Sequence, residues 1–316
     1  MAELPEIVIA DPIDAAAIDR LRAGPCRVVD ASGAPATLPE ALARAWGLVV
    51  RSRTKVTADL LGHAPKLSIV ARAGVGVDNV DLAAATARGI RVVNAPAAAT
   101  TSVAELTIAL YLLLVRGLVP AIVATKGGRW ERGAHGRELA GKTVGFVGYG
   151  RIAREVARRL ETFGASAIAF DPYVPRPVDR TEIVPLDALL ARADIVSLHA
   201  ALTAENRHLL DAAALARMKP GAYLVNVARG PLVDTAALAA ALASGRLAGA
   251  ALDVFEEEPP TDRALLALPN VVPTPHIGAM TAEGQARAGS EVVDDLLRAL
   301  QGEPLKNLVA SPGRSP

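Results

Sequence analysis

Lys142-Thr143-Val144-Gly145-Phe146-Val147-Gly148-Tyr149-Gly150-Arg151-Ile152-Ala153, with Asp171 further on, says more about this chain than any other segment. It reads as a buried strand, a glycine turn and a helix start, with an acid where the next strand should end. Gly148 permits the tight turn and Gly150 lets the backbone approach a pyrophosphate. Ala153 stands where helix–strand packing needs only a small residue. Free N–H groups at the helix start face the phosphates in such a unit, which adds Arg151 and Ile152 to the expected cofactor contacts. Asp171 closes the run Ala167-Ile168-Ala169-Phe170, placed to accept hydrogen bonds from a ribose 2′-hydroxyl. Its charge repels a 2′-phosphate, so the expected cofactor is NAD rather than NADP. A lone G-x-G-x-x-A is a weak signal, because ordinary turns use glycine too. Its context strengthens it: a β-branched run precedes the turn, and Ile152, Val156, Leu160 and Phe163 form one apolar face after it.

Outward from this segment, short β-rich runs alternate with alanine-rich helical stretches. Upstream, strands are predicted at Ile7-Val8-Ile9, Val28-Val29, Leu48-Val49-Val50, Leu67-Ser68-Ile69-Val70 and Val92-Val93, with helices such as Ala15–Arg22 and Leu82–Ala87 between them. A second series starts at Val144 and continues through 167–170, 195–198, 222–227, 249–252 and Val271-Val272. Such alternation implies parallel sheets covered on both faces. The fold class is therefore α/β, with two doubly wound domains and a cleft between them. The junction is expected near Asn94-Ala95-Pro96. A helix from Ala282 ends in the tail Gly302-Glu303-Pro304-Leu305-Lys306-Asn307, which has no place in the second sheet and is expected to return to the first domain. The predicted domains are thus 1–98 with 282–316, and 99–281.

Composition narrows the partners. The chain of 316 residues is 51% hydrophobic but only 3% aromatic, so alanine, valine and leucine must fill the cores. A net charge of +1 gives no reason to expect nucleic acid or an anionic membrane. The single cysteine, Cys26, cannot form an internal disulfide, which suits a reducing cytoplasm, and its apolar neighbours predict a buried thiol. Glu3, Pro5 and Glu6 near the start stand where a signal peptide carries a basic segment and an apolar core, so none is expected. Residues 106–115 are apolar but far short of the roughly 20 residues of a bilayer span, and read as a buried helix. No metal site is expected.

Three segments late in the second series carry chemistry. Asn226-Val227-Ala228-Arg229-Gly230, Asp253-Val254-Phe255-Glu256-Glu257-Glu258-Pro259 and Pro273-Thr274-Pro275-His276-Ile277-Gly278 each follow a predicted strand. They should converge at the carboxyl ends of the strands, where ligands sit in open α/β sheets. Each also has a plainer reading: Arg229 as a surface ion-pair partner, His276 as a packed loop residue, Glu256 and Glu257 as solvated charges. His63, His135 and His208 read as ordinary surface or packing residues.

On these motifs the chain resembles the D-isomer-specific 2-hydroxyacid dehydrogenases over nearly its whole length. Val50-Arg51-Ser52-Arg53-Thr54-Lys55-Val56-Thr57-Ala58-Asp59 and Arg72-Ala73-Gly74-Val75-Gly76-Val77-Asp78-Asn79-Val80-Asp81 are in the style of the phosphoglycerate dehydrogenase branch. The resemblance implies a Rossmann domain beside a flavodoxin-like substrate domain, and hydride transfer between NAD(H) and a D-2-hydroxy acid/2-oxo acid pair. It implies Arg229, Glu258 and His276 as the catalytic set. An arginine can fork onto a carboxylate, a histidine can exchange the hydroxyl proton, and a carboxylate beside it fixes its tautomer. The implied cofactor set also takes in His199, Ala200, Val227, Ala228, Asp253, Gly278 and Ala279. For substrate it implies backbone N–H groups of Gly74, Val75 and Gly76. Arg51, Ser52, Arg53 and Arg72 would form a cationic patch suited to 3-phosphoglycerate, with Arg51 and Arg53 on one face if the strand continues. Alternatives are glyoxylate or hydroxypyruvate reduction and, in another class, an NAD-sensing corepressor; formate dehydrogenases differ by a glutamine in place of Glu258. A homodimer is implied, with 102–119 and the arm around Trp130 as interface candidates, and the regulatory extension of the family is not expected after Asn307. Three departures from the branch bear on the substrate: Val75 replaces a threonine, Ala97-Ala98-Ala99-Thr100 a polar segment, and Ala201 a proline.

Overall fold

The structure is a computed structural model that describes residues 4–130, 132, 136–176 and 179–310, so His135 lies outside the described residues. In chain order its strands are β1 (Glu6–Ile9), β2 (Arg27–Asp30), β3 (Ala45–Val50), β4 (Ile69–Arg72), β5 (Arg91–Asn94), β6 (Thr143–Val147), β7 (Ser166–Phe170), β8 (Glu182–Ile183), β9 (Ile195–Leu198), β10 (Ala222–Asn226), β11 (Leu247–Leu252), β12 (Val271–Pro273) and β13 (Leu308–Ala310). The chain divides into two compact units, Met1–Ala99 with Ala279–Pro316, and Thr100–Gly278. The divisions at 99/100 and 278/279 differ from the expected 98/99 and 281/282, and they put Ala279 in the first unit.

In the first unit the sheet order is β2-β1-β3-β4-β5, all parallel, with β13 antiparallel on the β5 edge. Alternate residues feed opposite faces, as the two-residue period of a strand requires. Val8, Leu48, Val50, Val70 and Val92 enter one core with Leu61 and Ala85. Ile7, Ile9, Val49, Ile69, Ala71 and Val93 enter the other with Leu21, Val292 and Leu296. The helices Ala15–Arg22 and Ala282–Leu300 cover the second face and cross closely. A Cβ added at Gly289 would lie 2.9 Å from the Ala17 Cβ, which leaves no room for a larger residue. Asp295, fully buried, explains the tail: its carboxylate accepts from the N–H groups of Lys306 (2.6 Å) and Asn307 (3.2 Å) and from the Asn307 amide (2.9 Å). Those bonds turn the chain back so that β13 pairs with β5.

The second unit holds a seven-stranded parallel sheet, β8-β7-β6-β9-β10-β11-β12. Val147, Val196, Leu198, Leu224 and Leu252 pack on one side. Val144, Phe146, Ile195 and Val225 pack on the other, against the helices Thr100–Val115 and Arg151–Leu160. The apolar stretch 106–115 is thus a core helix of its own unit, and it begins six residues earlier, at Thr100. No single helix among the described residues is long and apolar enough to cross a membrane. The helix after the glycine turn is shorter than its apolar pattern predicts. It ends at Leu160, and Phe163 sits in a following 3-10 turn, 38% exposed, while Val156 and Leu160 are fully buried.

Candidate active site

In the second sheet β6 lies between β7 and β9, so the chain leaves β6 toward one edge and later returns on its other side. That reversal opens a crevice at the carboxyl ends of the strands. Gly148 and Gly150 serve it differently. Gly148 has φ +86°, and a Cβ there would lie 2.6 Å from the Ala200 nitrogen and 2.9 Å from the His199 carbonyl carbon. The turn is thus packed directly on the segment leaving β9. Gly150 begins the helix Arg151–Leu160 with no side-chain cap, and a Cβ there would meet nothing within 4 Å. Arg151 is exposed and Ile152 half-buried beside it.

At the end of β7, Asp171 accepts from the Tyr149 N–H through Oδ2 and from the Tyr173 N–H through Oδ1, each at 2.8 Å. Each oxygen keeps a further lone pair for a hydroxyl. His199, at the end of β9, sets its Nε2 2.9 Å from Ser197 Oγ, and its Nδ1 is buried without a partner among the described residues. Burial pulls this imidazole down to about 3, so it is neutral. Uncapped helix N–H groups, open space at Gly150, a half-committed carboxylate and an orphaned buried nitrogen together fit the pyrophosphate and ribose of NAD.

The neighbouring strand ends carry the side chains expected to form the catalytic set. Val227, Ala228 and Arg229 leave β10 in a turn braced by Asn226, which is 1% exposed. Its carboxamide accepts from the Ala228 N–H (3.0 Å) and donates to the Arg229 carbonyl (2.9 Å). Arg229 is half-buried, with Nη1 2.6 Å from the Ala228 carbonyl. Next along, Glu258 accepts from the Phe255 N–H through Oε1 (3.1 Å), while its Oε2 lies 2.8 Å from His276 Nδ1. Both side chains are accessible, at 39% and 50%. His276 adopts φ +53°, a conformation uncommon for a residue with a side chain and one that recurs at working sites. Asp253, 1% exposed, holds that loop: it accepts from Thr274 Oγ1 (2.6 Å), the Ile277 N–H (2.9 Å) and the Gly278 N–H (2.8 Å). Its carboxylate, expected among the cofactor contacts, is spent largely on the loop. Asn226 and Asp253 both act across a turn, and only the acid carried a sequence signal.

Glu256 corrects the reading as a solvated charge. Its Oε1 accepts from the Thr235 N–H (2.9 Å) and hydroxyl (2.7 Å), and its Oε2 lies 2.9 Å from His208 Nε2 and 3.4 Å from Arg207 Nη2. His208 is accordingly a paired residue rather than a free surface one, whereas the exposed Glu257 accepts from the Thr261 hydroxyl.

In the first unit the arginines do not form the expected pair on one strand face. β3 ends at Val50, and Arg51 and Arg53 lie in the turn beyond it. Asp11, 1% exposed, organises that turn by accepting from the Arg51 N–H (2.7 Å), the Thr54 N–H (3.1 Å) and the Thr54 hydroxyl (2.7 Å). Burial raises its carboxyl, but the Thr54 and Arg51 bonds and the Arg53 guanidinium outweigh that and hold it below the usual range. Arg53 itself is occupied by Asp11 (3.3 Å) and the Ser32 carbonyl (2.7 Å), and Arg51 by the Pro12 carbonyl (3.3 Å) and Met280 sulfur (3.4 Å). Ser52 is exposed. The Arg72 guanidinium lies over Gly74, so close that a Cβ there would fall 1.6 Å from Nη1. Val75 offers its carbonyl to Asn94 (2.6 Å), Gly76 is half-buried, and Ala279 accepts from Gln285 (2.7 Å).

Residues 108–278 match the family model described as D-isomer specific 2-hydroxyacid dehydrogenase, NAD binding domain. The chain belongs to the D-isomer specific 2-hydroxyacid dehydrogenase family. A D-3-phosphoglycerate dehydrogenase of Methanocaldococcus jannaschii is 48% identical over 270 residues, which is 84% of this chain and 52% of that protein. A hydroxypyruvate reductase of Thermotoga maritima is 48% identical over 257 residues, 80% of this chain and 84% of that one. The crystal structure of the TT0316 protein from Thermus thermophilus is similar with a TM-score of 0.89 and 38% identity, over 96% of this chain and 100% of that one. This member of the family spans about half the length of the phosphoglycerate dehydrogenases it matches.

Proposed function

We propose that the protein is an NAD-dependent dehydrogenase of D-2-hydroxy acids. The observation that carries this reading is the His276–Glu258 pair, 2.8 Å apart and open to solvent, on strand ends shared with Arg229 and a dinucleotide turn. When bound, NAD supplies the acceptor for the hydride that leaves the hydroxyl-bearing carbon, and NADH returns it in reduction. Glu258 holds the Nδ1 side of His276, so Nε2 takes the hydroxyl proton and gives it back in the reverse direction. Arg229 binds the substrate carboxylate and polarises the adjacent oxygen. Asn226 and Asp253 keep the two loops in place without touching substrate. A reactive pair of this kind favours turnover over an NAD-sensing role.

The first choice of substrate pair is 3-phosphoglycerate and 3-phosphohydroxypyruvate, supported by relatives bearing the phosphoglycerate dehydrogenase name at 48–51% identity. Hydroxypyruvate or glyoxylate reduction is the second reading. The engagement of Arg53 by Asp11 favours it, because that guanidinium is already neutralised. NADH oxidation with the three 2-oxo acids side by side tests both readings. Preference for the phosphorylated acid supports the first, preference for the small acids supports the second, and no turnover of any removes the dehydrogenase reading.

A homodimer is part of the same proposal. The helix Thr100–Val115 turns its apolar residues into its own core, so the support comes from the next helix, Leu118–Lys126, and the arm beyond. There Ile122, Val123 and Trp130 are 49%, 60% and 80% exposed. A monomeric mass by light scattering would refute it.

A further inference from the structure

Among the described residues two that are not glycine have left-handed φ, His208 (+52°) and His276 (+53°). Each is bonded to a glutamate of the same acidic run, at 2.9 Å to Glu256 and 2.8 Å to Glu258. The His276 pair belongs to the active site; the His208 pair has no place in the chemistry. It sits where three segments of the second unit meet. His208, in the loop after β9, donates its backbone N–H to the Pro231 carbonyl (2.8 Å), two residues past Arg229. Glu256 reaches the first N–H and the hydroxyl of the helix Thr235–Ala243, whose own cap is Asp234. Gly230 lies so close to the backbone of Phe255 and Glu256 that an added Cβ would fall 1.9 Å from the Phe255 carbonyl carbon and 2.4 Å from the Glu256 nitrogen. Residues 255–256 are therefore a shared wall. On one side they abut the Arg229 turn, and on the other the Phe255 N–H holds Glu258.

We infer that Glu256, braced by His208 and Thr235, is a positioning residue that sets Arg229 in register with the Glu258–His276 pair; the inference rests on the dehydrogenase reading above. Glu256 has no route to substrate through its own oxygens, since both are occupied, but it fixes the wall against which both reactive loops are placed. The carboxylate remains ionised far into acid. Burial pulls it up, but His208 and the Thr235 donors bring it down to about 2.

The test compares Glu256→Ala, Thr235→Val and Thr235→Ser. Three readouts are followed: NADH affinity by fluorescence, affinity of the NADH complex for oxamate (an unreactive carboxylate of substrate shape), and kcat and KM with the best 2-oxo acid. Displacement of a reacting group by about an ångström costs on the order of a hundredfold in rate. Glu256→Ala is expected to lower kcat at least about tenfold and weaken oxamate binding, with NADH affinity within about twofold of wild type. Thr235→Val should fall between it and wild type, and Thr235→Ser should restore activity. If the variants only melt at lower temperature, with kcat and oxamate affinity unchanged, Glu256 is a structural brace alone and the inference fails. Loss of NADH binding in step with kcat also overturns it, because that marks general distortion. A wild-type protein that neither reduces a 2-oxo acid nor binds oxamate overturns the dehydrogenase reading and the positioning role with it.

Discussion

Replacing Asp253 with Ala should remove most of the activity although the side chain touches no part of the proton path. Its carboxylate receives three donors from the loop that carries His276, one from the residue pair before it and two from the residues after. A hydrogen bond to a charged group contributes about 1.5–3 kcal/mol. The variant does not lose all three in full, because the Thr274 hydroxyl and the part-buried Ile277 N–H can turn to water. The Gly278 N–H is buried and cannot, so a net loss of about 3–5 kcal/mol is expected. Against a typical total of about 5–15 kcal/mol the protein should still fold. The second consequence is local. Left-handed backbone at a residue such as His276 costs about 1–3 kcal/mol and persists only while its surroundings hold it. Without Asp253 the backbone relaxes and Nδ1 leaves Glu258.

A shift of about one ångström in a general acid–base costs on the order of a hundredfold, so kcat should fall by about that factor. Asp253→Asn should not rescue it, since the amide NH2 must then face at least one N–H or hydroxyl donor. Steady-state NADH oxidation, NADH fluorescence titration and urea unfolding separate the effects. A stability loss with kcat within about threefold of wild type would show that His276 is held without Asp253, and the reasoning would be wrong. A loss confined to NADH affinity would instead assign this carboxylate to the cofactor.

Three other perturbations have defined outcomes. His276→Ala should abolish turnover while NADH binding stays nearly intact; near-normal turnover would remove its assigned role. Asp171→Ala should weaken NAD binding by about tenfold and relax discrimination against NADP, since one charged acceptor is lost, and an unchanged preference between the cofactors would show that it is not the ribose reader. His199 predicts an acid instability. Burial lowers its folded-state value from 6.5 to about 3, so the unfolded chain binds the extra proton first. Its destabilising effect is absent above 6.5 and grows as the pH falls through the window from 6.5 to about 3, reaching about 1.4 kcal/mol one unit below 6.5. His199→Asn should flatten that part of a melting-temperature profile against pH, and an identical slope would refute the buried neutral imidazole.

The parts legible in the sequence are those whose cause is local. The strand and turn 143–150 could be read because backbone geometry there depends on glycine and on β-branched neighbours. The placement of Arg229 and His276 beyond strand ends could be read because each follows a strand in a two-series α/β pattern. The parts that were not legible depend on pairs far apart in the chain. Nothing near Glu256 indicates that its partner stands 48 residues earlier. Arg51 and Arg53 looked like a cationic patch because alternation in a strand puts them on one face, but the strand stops at Val50. The acid that then engages Arg53 is Asp11, 42 residues away. Charge count along a segment cannot distinguish an available guanidinium from one already neutralised.

The same contrast explains how one sheet edge supports several carboxylates with separate tasks. Asp171, Asp253, Glu256 and Glu258 all lie beyond the carboxyl ends of β7 and β11 and are chemically near-equivalent as free side chains. Their tasks follow from how many oxygen lone pairs the protein has already filled, and how much water reaches what is left. Asp253 is buried with three donors and is spent largely on holding a loop. Glu256 is mostly covered with four donors within 3.4 Å, and it too is committed to structure. Asp171 keeps a lone pair on each oxygen at the edge of the glycine turn, which suits it to a ribose. Glu258 has one backbone donor and one imidazole, and it is 39% exposed, which suits it to the role proposed for it beside His276. An acid that must respond to a reaction cannot also be the one that fixes the frame, and under the proposed mechanism the run Glu256-Glu257-Glu258 divides those duties between its first and last members.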